Sequence, residues 1–343
     1  MDAAHPAPRG DDPAEPIGFL LLPEFPLYAL IPAMEALRVA NQNAGRRLFR
    51  IVLVSTDGAP VRAGNGMTLA VETSVCDAGF VPTLFVVAGN RPTQPLTRGL
   101  LAWLRRLARH GALLGGIDTG SFALAAAGLL DQHRATLHWE AVEMFRELHP
   151  EVELVEQLFV VDRSRLTCAG GIAALDLMLH LIATKHGQAL AQLVADGFVH
   201  GRIRQGEEPQ RTRAEEAFAR VDPRLAEVVR LMEASLESPL SPRALAQAVG
   251  VSVRQLERLV RERFQDSPRG LYLKLRLQAA RNHLFYGDLP IQDIAQATGF
   301  SSPSVFCRTF KARFGIAPRA FRRAFSGDRL QRFRPEIRQQ LGL

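Results

Sequence analysis

Apolar residues in the first two hundred positions fall in short runs that alternate with longer segments of helical spacing. The runs lie at 17–22, 49–55, 83–88 and 112–117. Runs that are apolar throughout are typical of parallel strands buried on both faces. Their alternation with helical segments favours a parallel sheet covered by helices. We therefore predict an α/β doubly wound, mostly parallel sheet. Its helices are predicted at 26–41, 96–110, 121–130, 172–186 and 189–203.

The pattern changes beyond residue 220, where helical spacing is continuous and one eight-residue motif occurs twice. The first copy spans Leu245–Ser252 and the second spans Ile294–Ser301, 49 positions later, with five of eight residues identical. Each copy has a small residue where two helices can cross, followed by a glycine that can take positive φ in a tight turn. Apolar residues at helical spacing follow each copy. This predicts an all-α domain with two helix-turn-helix motifs.

A third helix is predicted between the two copies, over residues 269–285. At 1.5 Å per residue it would be about 25 Å long. Two recognition helices separated by such a spacer could enter successive major grooves, which lie roughly 34 Å apart on one face of B-DNA.

Charge supports double-stranded DNA as the partner of this second region. Residues 211–343 carry 24 Lys and Arg against 13 Asp and Glu, whereas residues 1–210 carry 18 against 22. A concentration of positive charge in one domain is typical of polyanion binding. The alternative is a helical bundle whose arginines only face solvent, which the doubled motif disfavours.

The C-terminal region resembles the DNA-binding domain of the AraC/XylS family of bacterial regulators over residues 221–325. Beyond the twin motif, the resemblance rests on Gly299-Phe300-Ser301-Ser302 and on the closing segment from Phe310 to Pro318. The resemblance implies DNA contacts from the second helix of each motif. The candidate residues are Ser252, Arg254, Gln255, Glu257, Arg258, Ser302, Ser304, Cys307, Arg308 and Lys311.

The first domain has its own candidate site at a sharp strand-to-helix turn, Asp118-Thr119-Gly120. Such a turn presents a side chain above the carboxyl ends of the strands, where open α/β sheets bind ligands. The turn resembles the elbow of the class I amidotransferase-like superfamily, which includes PfpI-type proteases and normally carries cysteine there. Aspartate removes the thiolate nucleophile, so we predict no enzyme activity. The alternative is a hydrolase or glyoxalase-like enzyme tethered to DNA, which a fast-reacting cysteine would favour.

Three further residues are candidates for ligand binding. His138 matches the superfamily's partner histidine, Trp139 could offer a ring face to a cation, and Asp176 lies near a helix start at the same end of the sheet. Each has a structural alternative: Asp118 as a helix cap, His138 as a satisfied polar group, and Asp176 as a hydrogen-bonded core residue.

Together the two halves resemble the GlxA-type branch of the AraC family. The resemblance implies a transcriptional regulator, an activator of a catabolic operon, controlled by a small nitrogen-containing metabolite. A carboxylate at the elbow suits a cationic effector such as an amino acid, betaine or polyamine. The expected assembly is a homodimer that acts with RNA polymerase. A purely architectural DNA-binding protein is the remaining alternative.

Other features of the sequence predict the location of the protein and the divisions of its chain. Three cysteines without paired spacing predict neither a metal site nor a disulfide framework and fit a cytoplasmic location. No cofactor and no membrane association are expected. The predicted divisions are a disordered leader at 1–16, a sensor and dimerisation domain at 17–205, a linker at 206–220, a DNA-binding domain at 221–325 and a basic tail at 326–343.

Overall fold

The computed structural model describes residues 14–210 and 222–324, which fall in two compact units divided between Gln210 and Arg211. The strands of the first unit are β1 (Glu15–Leu21), β2 (Phe49–Ser55), β3 (Val61–Arg62), β4 (Thr68–Leu69), β5 (Thr73–Ser74), β6 (Thr83–Ala88), β7 (Leu113–Asp118), β8 (Arg134–Ala135), β9 (Glu153–Leu154), β10 (Phe159–Asp162) and β11 (Arg165–Cys168). The predicted bounds of β2 and β6 are confirmed.

Seven of these strands form one sheet in the order β10-β11-β7-β6-β1-β2-β5, in which β10 alone runs antiparallel to its neighbour. Ile17 and Phe19 belong to a core cluster on one face. Leu20, Leu84 and Val86 alternate with such residues and are equally buried, so they fill the opposite face. The mostly parallel, two-sided α/β sheet predicted from the apolar runs is confirmed.

The helices of the first unit are α1 (Leu27–Asn43), α2 (Arg98–Arg109), α3 (Ser121–Ala126), α4 (Val142–Leu148), α5 (Ala173–His186) and α6 (Gln188–Gly197), with a 3₁₀ turn at Trp139–Ala141. Two helices are shorter than predicted. α3 stops before Gly128, which takes a φ of 69°, and α6 ends at Gly197 rather than continuing to residue 203.

The second unit consists of α7 (Pro223–Glu233), α8 (Pro242–Ala248), α9 (Val253–Phe264), α10 (Pro268–Tyr286), α11 (Ile291–Ala297), α12 (Pro303–Phe314) and α13 (Pro318–Ala324). Its apolar residues form two clusters. Leu271 and Tyr272 of α10 pack in the cluster of the first motif, and Leu277, Ala280 and Leu284 pack in that of the second. The predicted spacer helix therefore contributes to both cores.

The divisions between domains differ from the predicted ones at two points. β1 begins at Glu15, which pairs with Phe49, so the sheet starts inside the predicted leader. Residues 206–210 pack on the first unit, as described below, rather than forming linker. The predicted leader up to residue 13, the linker from 211 to 220 and the basic tail lie outside the described residues. Within the described ranges, no helix has the length and apolarity needed to cross a membrane.

Candidate functional site

Asp118 ends β7 at the turn into α3 and takes a φ of 62°, a conformation that aspartate tolerates better than most residues. Its side chain is 3% exposed. The N-cap of α3 is Gly120, so Asp118 is not the helix cap of the structural alternative. Instead, the Tyr28 hydroxyl donates to Asp118 Oδ2 at 3.3 Å, and the Thr119 amide adds a second hydrogen bond. The carboxylate thus faces across the ends of the strands.

A glycine turn before α5 leaves room for this carboxylate. Gly170 has a φ of 82°, and a Cβ atom on it would lie 2.6 Å from Asp118 Oδ2. Any side chain at this position would both strain the backbone and press on the carboxylate. The turn that precedes α5 is therefore packed closely against the Asp118 side chain.

Burial raises the pKa of Asp118 to about 6, because the ionised form loses its hydration. His138, the Tyr28 hydroxyl and the Thr119 amide lower the pKa, and the charge of Glu140 raises it. Burial followed by the negative charge of Asp118 also raises the pKa of Tyr28. At neutral pH the site holds an ionised carboxylate that is poorly compensated, and a cation would stabilise it.

His138 and Trp139 lie at the same edge of the sheet. The His138 amide donates to the Asp118 carbonyl at 3.3 Å, its Nδ1 accepts from the Glu140 amide at 3.4 Å, and its ring centroid is 5.8 Å from that of Trp139. Both side chains are half-buried. The structure thus places His138 next to Asp118 and the Trp139 ring beside that of His138. It adds Tyr28 and Glu140, which the sequence analysis missed, although Tyr28 lies just beyond the carboxyl end of β1.

Asp176 is a hydrogen-bonded core residue, which the sequence analysis named as the alternative to a ligand-binding role. Its side chain is completely buried. His200 Nε2 lies 3.0 Å from Oδ1, and the Arg204 guanidinium donates to Oδ2 at 2.6 and 3.0 Å. With both oxygens engaged by protein groups, Asp176 holds a chain segment in place rather than facing a ligand.

Cys168 ends β11 close to Asp118 but has none of the properties of a nucleophile. Burial raises the pKa of its thiol to about 12, outweighing hydrogen bonds from the backbone of Gly170 and Asp118. A reactive cysteine requires the thiolate and access to solvent. Cys76 is exposed, but it follows β5 rather than lying at the elbow.

The second unit contains the two predicted helix-turn-helix motifs, formed by α8 with α9 and by α11 with α12. Gly250 and Gly299 take φ values of 67° and 69° in the two turns, as predicted. Ser252 caps α9 in a reciprocal capping box with Gln255, and Ser302 caps α12.

Most of the candidate DNA-contacting side chains lie on one exposed surface of each second helix. The exposed ones are Ser252, Arg254, Gln255, Glu257 and Arg258 of the first motif, and Ser304, Arg308 and Lys311 of the second. Arg258 has a long exposed contact with Glu262, at 3.7 Å, which holds it weakly. Cys307 is half-buried against the second core cluster, and the Ser302 hydroxyl is occupied by its helix. The side chains of Ser252 and Gln255 are likewise engaged in their capping box, so these four residues are less available to DNA than the exposed arginines.

Arg276, in the middle of α10, binds the turn of the second motif. The sequence analysis did not predict a role for this residue. Its guanidinium donates to the carbonyls of Thr298 and Gly299, each at 2.6 Å, and lies 4.3 Å from the ring centroid of Phe300. These contacts tie the spacer helix to the second turn, so the orientation of α12 depends on α10.

Comparisons with known proteins agree with this division. Residues 17–184 match the DJ-1/PfpI family, and residues 245–324 match a helix-turn-helix domain family. The chain is 45% identical over 300 residues to the HTH-type transcriptional regulator CdhR of Pseudomonas aeruginosa, covering 88% of this chain and 89% of that protein. It is 40% identical over 308 residues to the HTH-type transcriptional regulator GlxA of Rhizobium meliloti, covering 90% and 95%.

A more distant similarity concerns the first unit and an enzyme. The isonitrile hydratase of Pseudomonas putida is 30% identical over 182 residues, which cover 52% of this chain and 75% of that protein. The first unit is thus similar both to regulators and to an enzyme, so its fold alone does not decide its function.

Proposed function

Because this chain belongs to the GlxA-type HTH transcriptional regulators, in which a DJ-1/PfpI-like domain precedes an AraC-type DNA-binding domain, we propose that it activates a catabolic operon in response to a small nitrogen-containing cation. Binding DNA as a transcriptional regulator is the property of its family. The effector, its site at Asp118, the homodimer, the contact with RNA polymerase and the cytoplasmic location are the proposal.

The observation that supports a cationic effector is the buried carboxylate of Asp118. Its raised pKa means that the surrounding protein favours ionisation less than water does. Burial is the largest influence on this pKa and raises it, the charge of His138 lowers it, and a second carboxylate, Glu140, raises it. An ammonium or quaternary amine would supply the missing charge, and the rings of Tyr28 and Trp139 are suited to cation–π contact. The positive end of α3 opposes this only weakly, since the helix has six residues.

A catalytically inactive first domain is part of the same proposal. Asp118 stands where the enzymes of the superfamily have a thiolate, and Cys168 beside it is buried with a raised pKa. The rival function, an enzyme tethered to DNA, draws support from the similarity to isonitrile hydratase but requires a thiolate nucleophile, which Asp118 lacks and the buried Cys168 disfavours.

The effector proposal is tested by thermal shift of the full chain with glycine betaine, arginine and putrescine. Ligands that bind only the native state stabilise it by RT ln(1 + [L]/Kd), about 2.7 kcal/mol at a hundredfold excess over Kd. We expect at least one of these three compounds, each of which carries a positively charged nitrogen group, to raise the Tm and succinate to have no effect. Stabilisation by succinate alone would contradict a cation site.

The recognition surface is tested by comparing two arginines of the first motif. Arg258→Ala on α9 should relax the preference at one base pair, since a bidentate arginine–guanine contact contributes about 1 to 3 kcal/mol of discrimination. Arg243→Ala on α8 should weaken binding to all DNA sequences to the same extent, as loss of a phosphate contact does. The measurement is binding to a duplex selected in vitro and to its single-base variants. Equal losses on specific and random DNA for Arg258→Ala would exclude a base-reading role.

Dimerisation is assigned to the first domain, because the second unit carries a single asymmetric pair of motifs. We expect residues 211–343 alone to sediment as a monomer and bind DNA weakly, and residues 1–210 alone to sediment as a dimer. A fully dimeric C-terminal fragment would contradict the assignment.

A further inference from the structure

Residues 198–210, which follow α6, form an irregular segment that we call the strap. It begins with strain: Val199 has a φ of 53° and a side chain that is 92% exposed, although β-branched residues strongly disfavour positive φ. Such strain persists only where neighbouring contacts enforce it. Here the amide of the next residue, His200, donates to the Ala195 carbonyl at 2.9 Å. The imidazole of His200 is hydrogen-bonded to the Asp176 carboxylate.

The first anchor of the strap is Asp176. Besides the side chains of His200 and Arg204, the Arg204 amide donates to Asp176 Oδ1 at 3.0 Å. A fully buried carboxylate with this many partners is costly to detach, because separation would leave its charge uncompensated. Asp176 lies in the first turn of α5, and α5 follows the Gly170 turn that contacts the Asp118 carboxylate. The first anchor therefore joins the strap to one wall of the Asp118 site.

The strap then runs along the edge strand β10. The amides of Leu158 and Phe159 donate to the carbonyls of Glu208 and Gly206, at 2.9 and 3.4 Å. At its end, Gln210 Nε2 donates to Thr136 Oγ1 at 3.0 Å and to the Leu137 carbonyl at 2.8 Å. These last contacts form the second anchor.

The second anchor reaches the other wall of the site through Thr136, which is fully buried. The Ser121 hydroxyl of α3 donates to the Thr136 carbonyl at 2.8 Å. The Thr136 amide donates to Thr167 Oγ1 at 2.9 Å. Two residues further along the chain, His138 donates its amide to Asp118. One hydrogen-bonded network thus connects Gln210 to the elbow helix and to the segment that carries His138 and Trp139.

The two anchors differ in how completely their polar side-chain atoms are hydrogen-bonded. Both oxygens of Asp176 have partners, whereas Gln210 Oε1, within the described residues, is buried without a hydrogen-bond partner. An unpaired buried acceptor is energetically unfavourable, so the end at Gln210 is the weaker one. Gln210 is also the last residue of the first unit, and the second unit begins at Arg211.

We propose that the strap is the coupling element between the Asp118 site and the DNA-binding unit, with a fixed end at Asp176 and a releasable end at Gln210. The proposal rests on the proposed function in taking Asp118 as the effector site. A ligand that moves residues 136–139 changes the contacts of Gln210, and with them the point at which the chain leaves the first unit. A ligand shifts this equilibrium only through its own contacts that differ between the two states, so the effector must bind residues 136–139 more tightly in one of them.

The coupling is tested first by hydrogen exchange of the full chain, without any effector. Gln210→Ala should accelerate exchange at least about tenfold in peptides covering residues 136–141, because loss of the anchor loosens the site wall. The control is Arg202→Ala, which removes an exposed ion pair with Glu208 in the same strap and should leave those peptides unchanged. Acceleration confined to residues 206–210 would show that the anchor is local and would overturn the proposal.

The second measurement is the affinity of the full chain for a duplex selected in vitro with the wild-type protein. Gln210→Ala should change the Kd about fivefold or more, the lower range of allosteric coupling, while Arg202→Ala should not. A wild-type Kd for Gln210→Ala alongside altered exchange would mean that the strap transmits nothing. Because neither measurement uses an effector, a negative amine screen would reject the proposed effector class without affecting this result.

Discussion

Asp118→Asn should make the protein more stable at neutral pH while abolishing its response to the effector. Asparagine has nearly the shape of aspartate and tolerates the φ of 62° at this position, so the substitution mainly removes the charge. Loss of the charge removes the group that binds the cation, and DNA binding itself should persist. A variant that still responds to its effector in a reporter assay would exclude Asp118 as the receptor.

The gain in stability follows from the sign of the pKa shift. Burial raises the pKa of Asp118 from 3.8 to about 6 in the folded protein. The folded state therefore holds its proton more tightly than the unfolded chain, and stability falls as the pH rises from about 4 to 6. Above that range the ionised group costs about 3 kcal/mol. Asp118→Asn should recover an energy of that order at pH 7.5 and almost none at pH 4.

The measurement is urea unfolding of the effector-free protein at several pH values. Asp162→Asn is the matched control, because hydrogen bonds from the Arg134 amide and from Arg163 and His133 lower the pKa of Asp162. The same substitution there should destabilise the protein at neutral pH, and the effect should fade as the pH falls. A gain at Asp118 that is equal at pH 4 and pH 7.5 would mean that ionisation is not its cause.

Gly299→Ala should disrupt the second helix-turn-helix motif, whereas Gly250→Ala, at the equivalent position of the first, should be tolerated. Both glycines have nearly the same positive φ, which costs an alanine about 1 to 2 kcal/mol. A Cβ atom on Gly250 would meet nothing within 4 Å, but one on Gly299 would lie 2.4 Å from the Leu236 carbonyl oxygen and 2.7 Å from Pro239. Relieving that overlap requires the backbone to move, which typically adds about 1 to 3 kcal/mol.

We therefore expect Gly299→Ala to lower the free energy of unfolding of the second unit by about 3 kcal/mol or more. It should also reduce DNA affinity sharply, because the turn that positions α12 cannot close. Chemical unfolding and titration of the selected duplex measure the two effects. Equal losses at the two glycines would show that the backbone conformation alone matters and that the packing of Leu236 on the turn does not.

Features encoded locally were predictable from the sequence, and those that depend on distant contacts were not. The twin motif, its glycines and serine caps, and the apolar strands each arise within a few neighbouring residues. Tyr28, Arg276 and Gln210 matter because of partners 90, 22 and 74 positions away, and no local pattern marks such pairs. Asp176 illustrates the same limit, since a hydrogen-bonded core position was one of its two predicted roles, but its partners His200 and Arg204 lie 24 and 28 positions away and could not be identified from the sequence.

The length of the spacer helix α10 determines how the second helix-turn-helix motif is rotated, about the axis of α10, relative to the first. The 19 residues of α10 span about 28 Å, and each residue added to an α-helix turns everything beyond it by about 100°. One residue inserted into α10 before Arg276 would move the second motif by only about 1.5 Å along the axis, yet it would turn α12 by about 100° relative to α9. One residue inserted after Arg276 would also separate that side chain from the carbonyls of Thr298 and Gly299 that it binds. The relative orientation of α9 and α12 therefore depends on the length of α10 residue by residue.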